Sequence, residues 1–277
     1  MCCFSGRRGA VVKVEGTRIF ARAAGGAEQV LVYEMKVAFR EPVAMVLPLP
    51  VAPGRGDHAV RFVSLEGYTR FFDDLDMAFP SLTLGLPKSQ SLLSRRVGRQ
   101  SSLVVHQVGD FVASYVPGRE DFERLDPRFR LAPGVLDALP QVSDWGFAVF
   151  QLATRDSRSF FAKLLGAGKP PTARVHPMAL LFPRRDPSRL FFPTIHVHDG
   201  QVHPRAHFDH ALYAQLSPGS SGSSSSAIPG ESWVPAFQQA EQVMRIEQCR
   251  DLVLAGAPLF KQSIVGEHSN QDSYLPL

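Results

Sequence analysis

Several things are scarce in this sequence, and each shortage excludes something. Among 277 residues there are three cysteines, Cys2, Cys3 and Cys249. An odd count with two of them adjacent implies no disulfide framework. No apolar run reaches the roughly eighteen residues of a membrane span. The opening MCCFSGRRGAVVK lacks the apolar stretch of a secretory signal. The expectation is therefore a cytoplasmic protein with no membrane partner. Charge is scarce too: the net charge is +4 and no basic run exceeds two residues, so no nucleic-acid partner is expected. Lysine is outnumbered by arginine, 6 to 24, and asparagine occurs once, at position 270. Both biases suit a GC-rich coding sequence and point to a bacterial origin. There is no Walker motif, no GxGxxG, no GxSxG and no HExxH, which leaves nucleotide binding and the common serine-hydrolase site without support.

What the sequence does contain is strand pattern. AVVKVEG and TRIFARA read as short strands before a turn at Gly25-Gly26, and QVLVYEMKVAF alternates as a half-buried strand should. PVAMVLPLPV is a continuous apolar run, and Pro48 and Pro50 suggest an edge strand or an extended segment leaving a sheet. HAVRFVSLEG, WGFAVFQLA, RVHPMALLF and RLFFPTIHVH are further strands, and SLVVHQVGDFVASYV is a hairpin turning near Gly109-Asp110. YTRFFDDLDMAF has the spacing of a short helix. PAFQQAEQVMRIEQCRDLVLAG is the strongest helix pattern, with Pro235 in its first turn and Gly256 closing it. The expected fold class is α+β: a predominantly antiparallel β-sheet with a few short helices and one C-terminal helix. Residues 1–277 read as one β-rich domain with a flexible Ser/Gly-rich insert at 217–232.

Five of the nine histidines fall within residues 194–210, TIHVHDGQVHPRAHFDH. Asp199-Gly200 is a strong signal for a two-residue hairpin turn. Such a turn sets His198 opposite Gln201 and His196 opposite His203, on one face. His207 joins that face if the register continues, and His210 then points the other way. Pro204 threatens the register, because it cannot donate a ladder bond. Clustered neutral imidazoles suit zinc, copper, iron or nickel. A three-ligand site leaves a position for water. Asp199 and Asp209 are candidate ligands or imidazole partners, and His106 and His176 are distant candidates for the same site. A proton-handling cluster without metal is the alternative use of the same residues.

Cys2 raises a different chemistry. A trimmed initiator methionine leaves an N-terminal cysteine whose amine can activate its own thiol. With the strand-like VVKVEGTRIFAR that follows, the first twenty residues resemble N-terminal-nucleophile amidases. That resemblance implies Cys2 as the nucleophile and Arg22 as a support, although the asparagine and aspartate expected beside that arginine are not present. Cys2 or Cys3 is also a candidate thiolate for the histidine site. More broadly, the cysteine-bearing start, TRIFARA and AMVLPLPVAP resemble a bacterial family of uncharacterised proteins over residues 2–53.

Asp73, Asp74 and Asp76 read as a solvated helix face, and Trp145 as core. The leading expectation is a metal-binding protein, or a metalloenzyme that activates water or dioxygen. Its metal residues are His196, His198, His203, His207 and His210, holding a transition-metal ion (zinc, copper or iron). A small molecule or peptide is the expected substrate. The alternatives are a cysteine amidohydrolase with Cys2 catalytic, and a non-catalytic interaction protein with structural histidines.

Overall fold

The computed structural model describes residues 2–5, 12–38, 43–79, 105–108, 111–152, 172–174, 176–216 and 230–277. The strands are β1 (Cys2–Ser5), β2 (Lys13–Ala23), β3 (Glu28–Ala38), β4 (Val43–Leu49), β5 (Arg61–Ser64), β6 (Val105–Val108), β7 (Phe111–Val116) and β8 (Gly146–Leu152). They continue as β9 (Thr172–Arg174), β10 (Met178–Pro183), β11 (Arg189–Phe192), β12 (His196–Val197), β13 (Arg205–Gln215), β14 (Val234–Pro235), β15 (Leu259–Ser269) and β16 (Ser273–Pro276). Among the described residues two short helices, α1 (Phe71–Asp76) and α2 (Ala240–Val243), and several single 3-10 turns accompany them.

One six-stranded sheet runs β12-β1-β4-β8-β7-β6, and an eight-stranded sheet runs β14-β15-β13-β2-β3-β10-β5 with β9 on β3. β11 and β16 form a separate pair. Pairing is antiparallel except β1 with β12 and β2 with β13. The architecture is thus strand-rich with few short helices, as the periodicity implies.

The layers follow from alternation. On β3, Leu31, Tyr33, Met35 and Val37 enter a cluster shared with β4 and β8 of the other sheet. Val30 and Val32 face the opposite way, onto Phe71, Phe72 and Leu75 of α1. A strand covered on both faces reads as a continuous apolar run rather than an alternating one. β4 shows the same logic and corrects an expectation. It lies inside the six-stranded sheet rather than at its edge. Pro48 sits past Val46, the last partner of β1, where the strand has a neighbour on one side only and a missing N–H is tolerated.

The expected C-terminal helix over 235–256 is not formed. After β14 the chain makes α2, capped by a reciprocal Gln239–Gln242 box, and breaks at Met244, whose φ of −109° and ψ of 154° are extended. Arg245 N–H donates to the Tyr68 hydroxyl at 2.9 Å. A 3-10 turn over Ile246–Cys249 follows, and then Arg250 and Asp251 in left-handed backbone, with φ 50° and 60°. A straight helix presents one apolar stripe. The broken path buries Ala240, Met244, Cys249, Leu252 and Val253 together under the eight-stranded sheet. The tail forms β15, in the eight-stranded sheet, and β16, paired with β11. Residues 217–229 of the expected Ser/Gly-rich insert lie outside the described residues. No helix among the described residues is long and apolar enough to cross a membrane.

Candidate functional site

The histidine-rich segment does not close the expected hairpin. Gly200 has a φ of 78°, but Asp199 is not left-handed, so the type I′ turn that needs both is not made. Instead the Asp199 carboxylate accepts the Gln201 N–H at 3.0 Å. The two arms then enter different sheets. β12 pairs in parallel with β1, setting Cys2 beside His196 and Cys3 beside Val197. β13 begins at Arg205 and lies between β15 and β2.

A single side chain replaces the missing ladder. Asn270 Oδ1 accepts the His196 N–H at 2.8 Å, and Nδ2 donates to the carbonyls of His196 and His203 at 2.9 Å each. Its own N–H donates to Pro204 O at 3.0 Å. Next to it, Asp272 Oδ1 accepts from Thr194 N and Ile195 N at 2.9 and 3.0 Å. The turn after β15 therefore hooks the start of β12 to the start of β13.

That hook brings His196 against His210. Their Nε2 atoms are 3.1 Å apart, one donating and one accepting. The rings stack with centroids 4.7 Å apart. His198 also stacks on His196, at 4.8 Å, Phe208 lies 4.7 Å from the His196 ring, and Phe4 meets His198 edge-on at 5.5 Å. On β13, alternation puts His210 on the face of Leu212, toward the six-stranded sheet. The expected orientation, away from the face of the other histidines, assumed a hairpin that is not formed.

Burial in this aromatic setting disfavours the charged imidazole. It pushes His196 down to about 3, with His198 adding to the effect, and pushes His210 well below its ordinary value, with His196 adding. Both rings are neutral near pH 7. The buried Nδ1 of His210 has no hydrogen-bond partner among the described residues.

The other candidates lie elsewhere. His203 Nε2 is paired with Asp199 Oδ2 at 2.8 Å, and His207 lies 3.7 Å from Glu267; both are exposed. Cys3 is buried, and the side chains of Cys2 and His106 lie outside the described residues. His176 donates from Nδ1 to Pro177 O at 3.1 Å. Asp209 accepts the Gly16 N–H at 2.9 Å on the far face of β13. Arg22, the support implied by the amidase resemblance, donates instead to the carbonyls of Leu252, Asp251 and Ala23. Among the described residues no group of three or more His, Cys, Asp or Glu side chains is arranged to hold a metal ion. Two convergent imidazoles with a third stacked beside them are what the fold assembles.

A second constellation was not singled out from the sequence. On the opposite face of β13, a cavity of about 350 Å³ is lined by Arg18, Glu34, Asp73, Asp76, Tyr213 and Lys261. A bulge in β2, with Gly16 at φ 59°, shifts the register just before Arg18, as bulges commonly do where a side chain is re-aimed. Arg18 donates to Glu34 at 2.8 Å through Nε, and through a second nitrogen to Asp73 at 2.9 Å and Asp76 at 3.3 Å. Asp76 also accepts from the Tyr213 hydroxyl and from Lys261 Nζ, the latter at 2.6 Å. Glu34 is 1% exposed, and burial raises its carboxyl to about 7 although Arg18 pulls the other way. Asp73 and Asp76, read as a solvated helix face, thus dock α1 onto the sheet. Asp74 is buried and accepts from Tyr68 and Arg70. In the sequence, Glu34 is one polar residue in an alternating strand, which carries no signal of a pocket.

No protein-family model matches this chain, and no curated protein does. Its structure is similar to that of baculovirus P35, with a TM-score of 0.46 and 11% identity, covering 96% of each chain. It is similar to a mutated baculovirus P35 after caspase cleavage, at a TM-score of 0.46 and 10% identity over 95% of this chain and 99% of that one. It is similar to a chain of the caspase-8/P35 complex, at 0.44 and 10% over 95% and 96%. None of the three belongs to the families that residues 2–53 resemble, and at these scores the likeness carries no inference about function.

Proposed function

We propose that this protein binds one transition-metal ion, zinc, copper or iron, through the Nε2 atoms of His196 and His210. The observation that carries this reading is their 3.1 Å separation. Two nitrogens each about 2.0–2.1 Å from one ion lie roughly 2.8–3.4 Å apart when the angle between them is about 90–110°. Burial supports it by keeping both rings neutral, which is the form that ligates. His198 is the nearest further imidazole. Two protein ligands leave positions for water and for a small molecule or peptide; as an enzyme, the protein would use the ion to activate water or dioxygen. Native mass spectrometry of untagged protein kept from chelators tests this. One ion per chain is expected in the wild type and in His203→Ala and His207→Ala, and none in His196→Ala. Full occupancy in His196→Ala, or a metal-free wild type that takes up no added zinc, copper or iron, rejects the site.

A second reading is favoured by Glu34. A buried carboxyl near neutrality at the floor of a cavity is suited to acid–base work on a small polar molecule. Backbone amide shifts during a small-fragment screen test it, with responses expected at Arg18, Glu34 and Lys261. A silent pocket across the screen removes this reading.

A further inference from the structure

We infer that Asn270 is the positioning residue of the histidine site: it sets the His196 imidazole against His210 by holding both the N–H and the carbonyl of His196. The inference rests on the metal-binding reading above and names what builds that site. His196 belongs to a two-residue strand at the outer edge of the six-stranded sheet, and among the described residues β1 is its only ladder partner. His210 sits in the middle of an eleven-residue strand paired on both sides. One ligand is therefore fixed by the sheet and the other is not. Asn270 closes that gap. Its amide takes the His196 N–H and returns a hydrogen bond to the His196 carbonyl, and the same nitrogen reaches the His203 carbonyl.

Only an asparagine in this place supplies one acceptor and two donors at the end of a single methylene. Aspartate keeps the acceptor and loses both donors. Glutamine reaches one carbon too far. Asp272 accepts the N–H groups of Thr194 and Ile195, so the chain entering β12 is pinned at three consecutive residues, 194 to 196, from one turn. Partners that orient metal ligands typically change affinity 10- to 100-fold when removed.

The test uses the full chain as wild type, Asn270→Ala and Asn270→Asp. Zinc affinity is read by calorimetry. In metal-free protein the ring nitrogens of His196 and His210 are read by long-range ¹H–¹⁵N NMR. Asn270→Ala is expected to weaken zinc about tenfold or more and to move the His196 and His210 ring-nitrogen signals toward those of exposed His203 and His207. Asn270→Asp is expected to fall between, because it keeps the bond from the His196 N–H. Zinc affinity within twofold of wild type and unchanged ring-nitrogen signals in Asn270→Ala would overturn the inference. If Asn270→Ala does not fold, wild-type behaviour of Asn270→Asp in both readouts overturns it equally. If wild type takes up no zinc, the metal reading fails by itself. The ring-nitrogen signals then still decide the role of Asn270: displacement supports it and no displacement rejects it.

Discussion

Glu34 and the two stacked histidines give this protein opposing responses to pH. The folded-state pKa of Glu34, about 7, lies above its ordinary 4.5. Between those values the native chain holds a proton that the unfolded chain has released. Its contribution to stability is complete at low pH, declines as pH rises through that window, and is gone above 7. His196 and His210 are depressed below 6.5, so their native environment is favoured above that value and penalised as pH falls toward 3. The slopes compete between about 4.5 and 6.5, and substitutions separate them. Glu34→Gln, which keeps a neutral side chain, should gain stability relative to wild type as pH rises from 5 to 8, by up to about 3 kcal/mol. Urea unfolding at both pH values measures this; a pH-independent difference would contradict a titrating Glu34. His210→Leu removes a buried group that low pH would charge, and it leaves His196 Nε2 without its hydrogen-bond partner at every pH. It should lose less stability than wild type between pH 7 and pH 5, while losing the proposed metal.

At the scale of elements, the segment after β14 shows how tertiary contacts override a helical pattern. The apolar spacing of 235–256 is real, and its residues are buried as the pattern requires, but through two separate turns rather than one rod. The left-handed pair Arg250 and Asp251 is held by Arg22, whose guanidinium binds the carbonyls of Asp251 and Leu252 across 229 and 230 positions of sequence. That cation is 8% exposed. Arg22→Ala leaves those carbonyls unpaired and should cost about 2 kcal/mol or more. Thermal or urea unfolding measures the cost, and a loss below half a kcal/mol would show that the turn holds itself. The pairing of the arms at 105–108 and 111–116 was legible, and β6 pairs with β7 from Val108 and Phe111 outward; the expected turn at Gly109-Asp110 lies outside the described residues. The similar Asp-Gly signal at 199–200 misled. A turn dipeptide closes a hairpin only when both arms prefer each other to the strands around them.

On the scale of the whole molecule, two sheets share one core, and the sites lie where elements of that assembly meet. Phe62 of β5 in the larger sheet meets Phe150 of β8 in the smaller one edge-to-face, with centroids 5.5 Å apart. Phe150→Ala opens a cavity between the sheets and should cost about 3–5 kcal/mol. Phe237, 75% exposed, should tolerate serine within about half a kcal/mol. Comparable losses for the two in denaturant unfolding would contradict this layering.

The sequence by itself determined the strand-rich class, the positions of β3, β7, β8 and β10, the position of α1, and the concentration of imidazoles near residue 200, while the two short strands expected at 10–16 and 17–23 are one bulged strand, β2. All of these follow from local periodicity and composition, which report which face of an element is apolar. Local periodicity does not report which sheet a strand joins. The parallel pairing of β1 with β12 links residues 2 and 196, and the meeting of His196 with His210 depends on it and on a turn near the end of the chain. The Glu34 carboxyl is raised because the packed layers bury it and take away the water that would have kept it acidic. The tertiary structure alone decided which histidines meet, because desolvation and cross-sheet contact are properties of the packed layers.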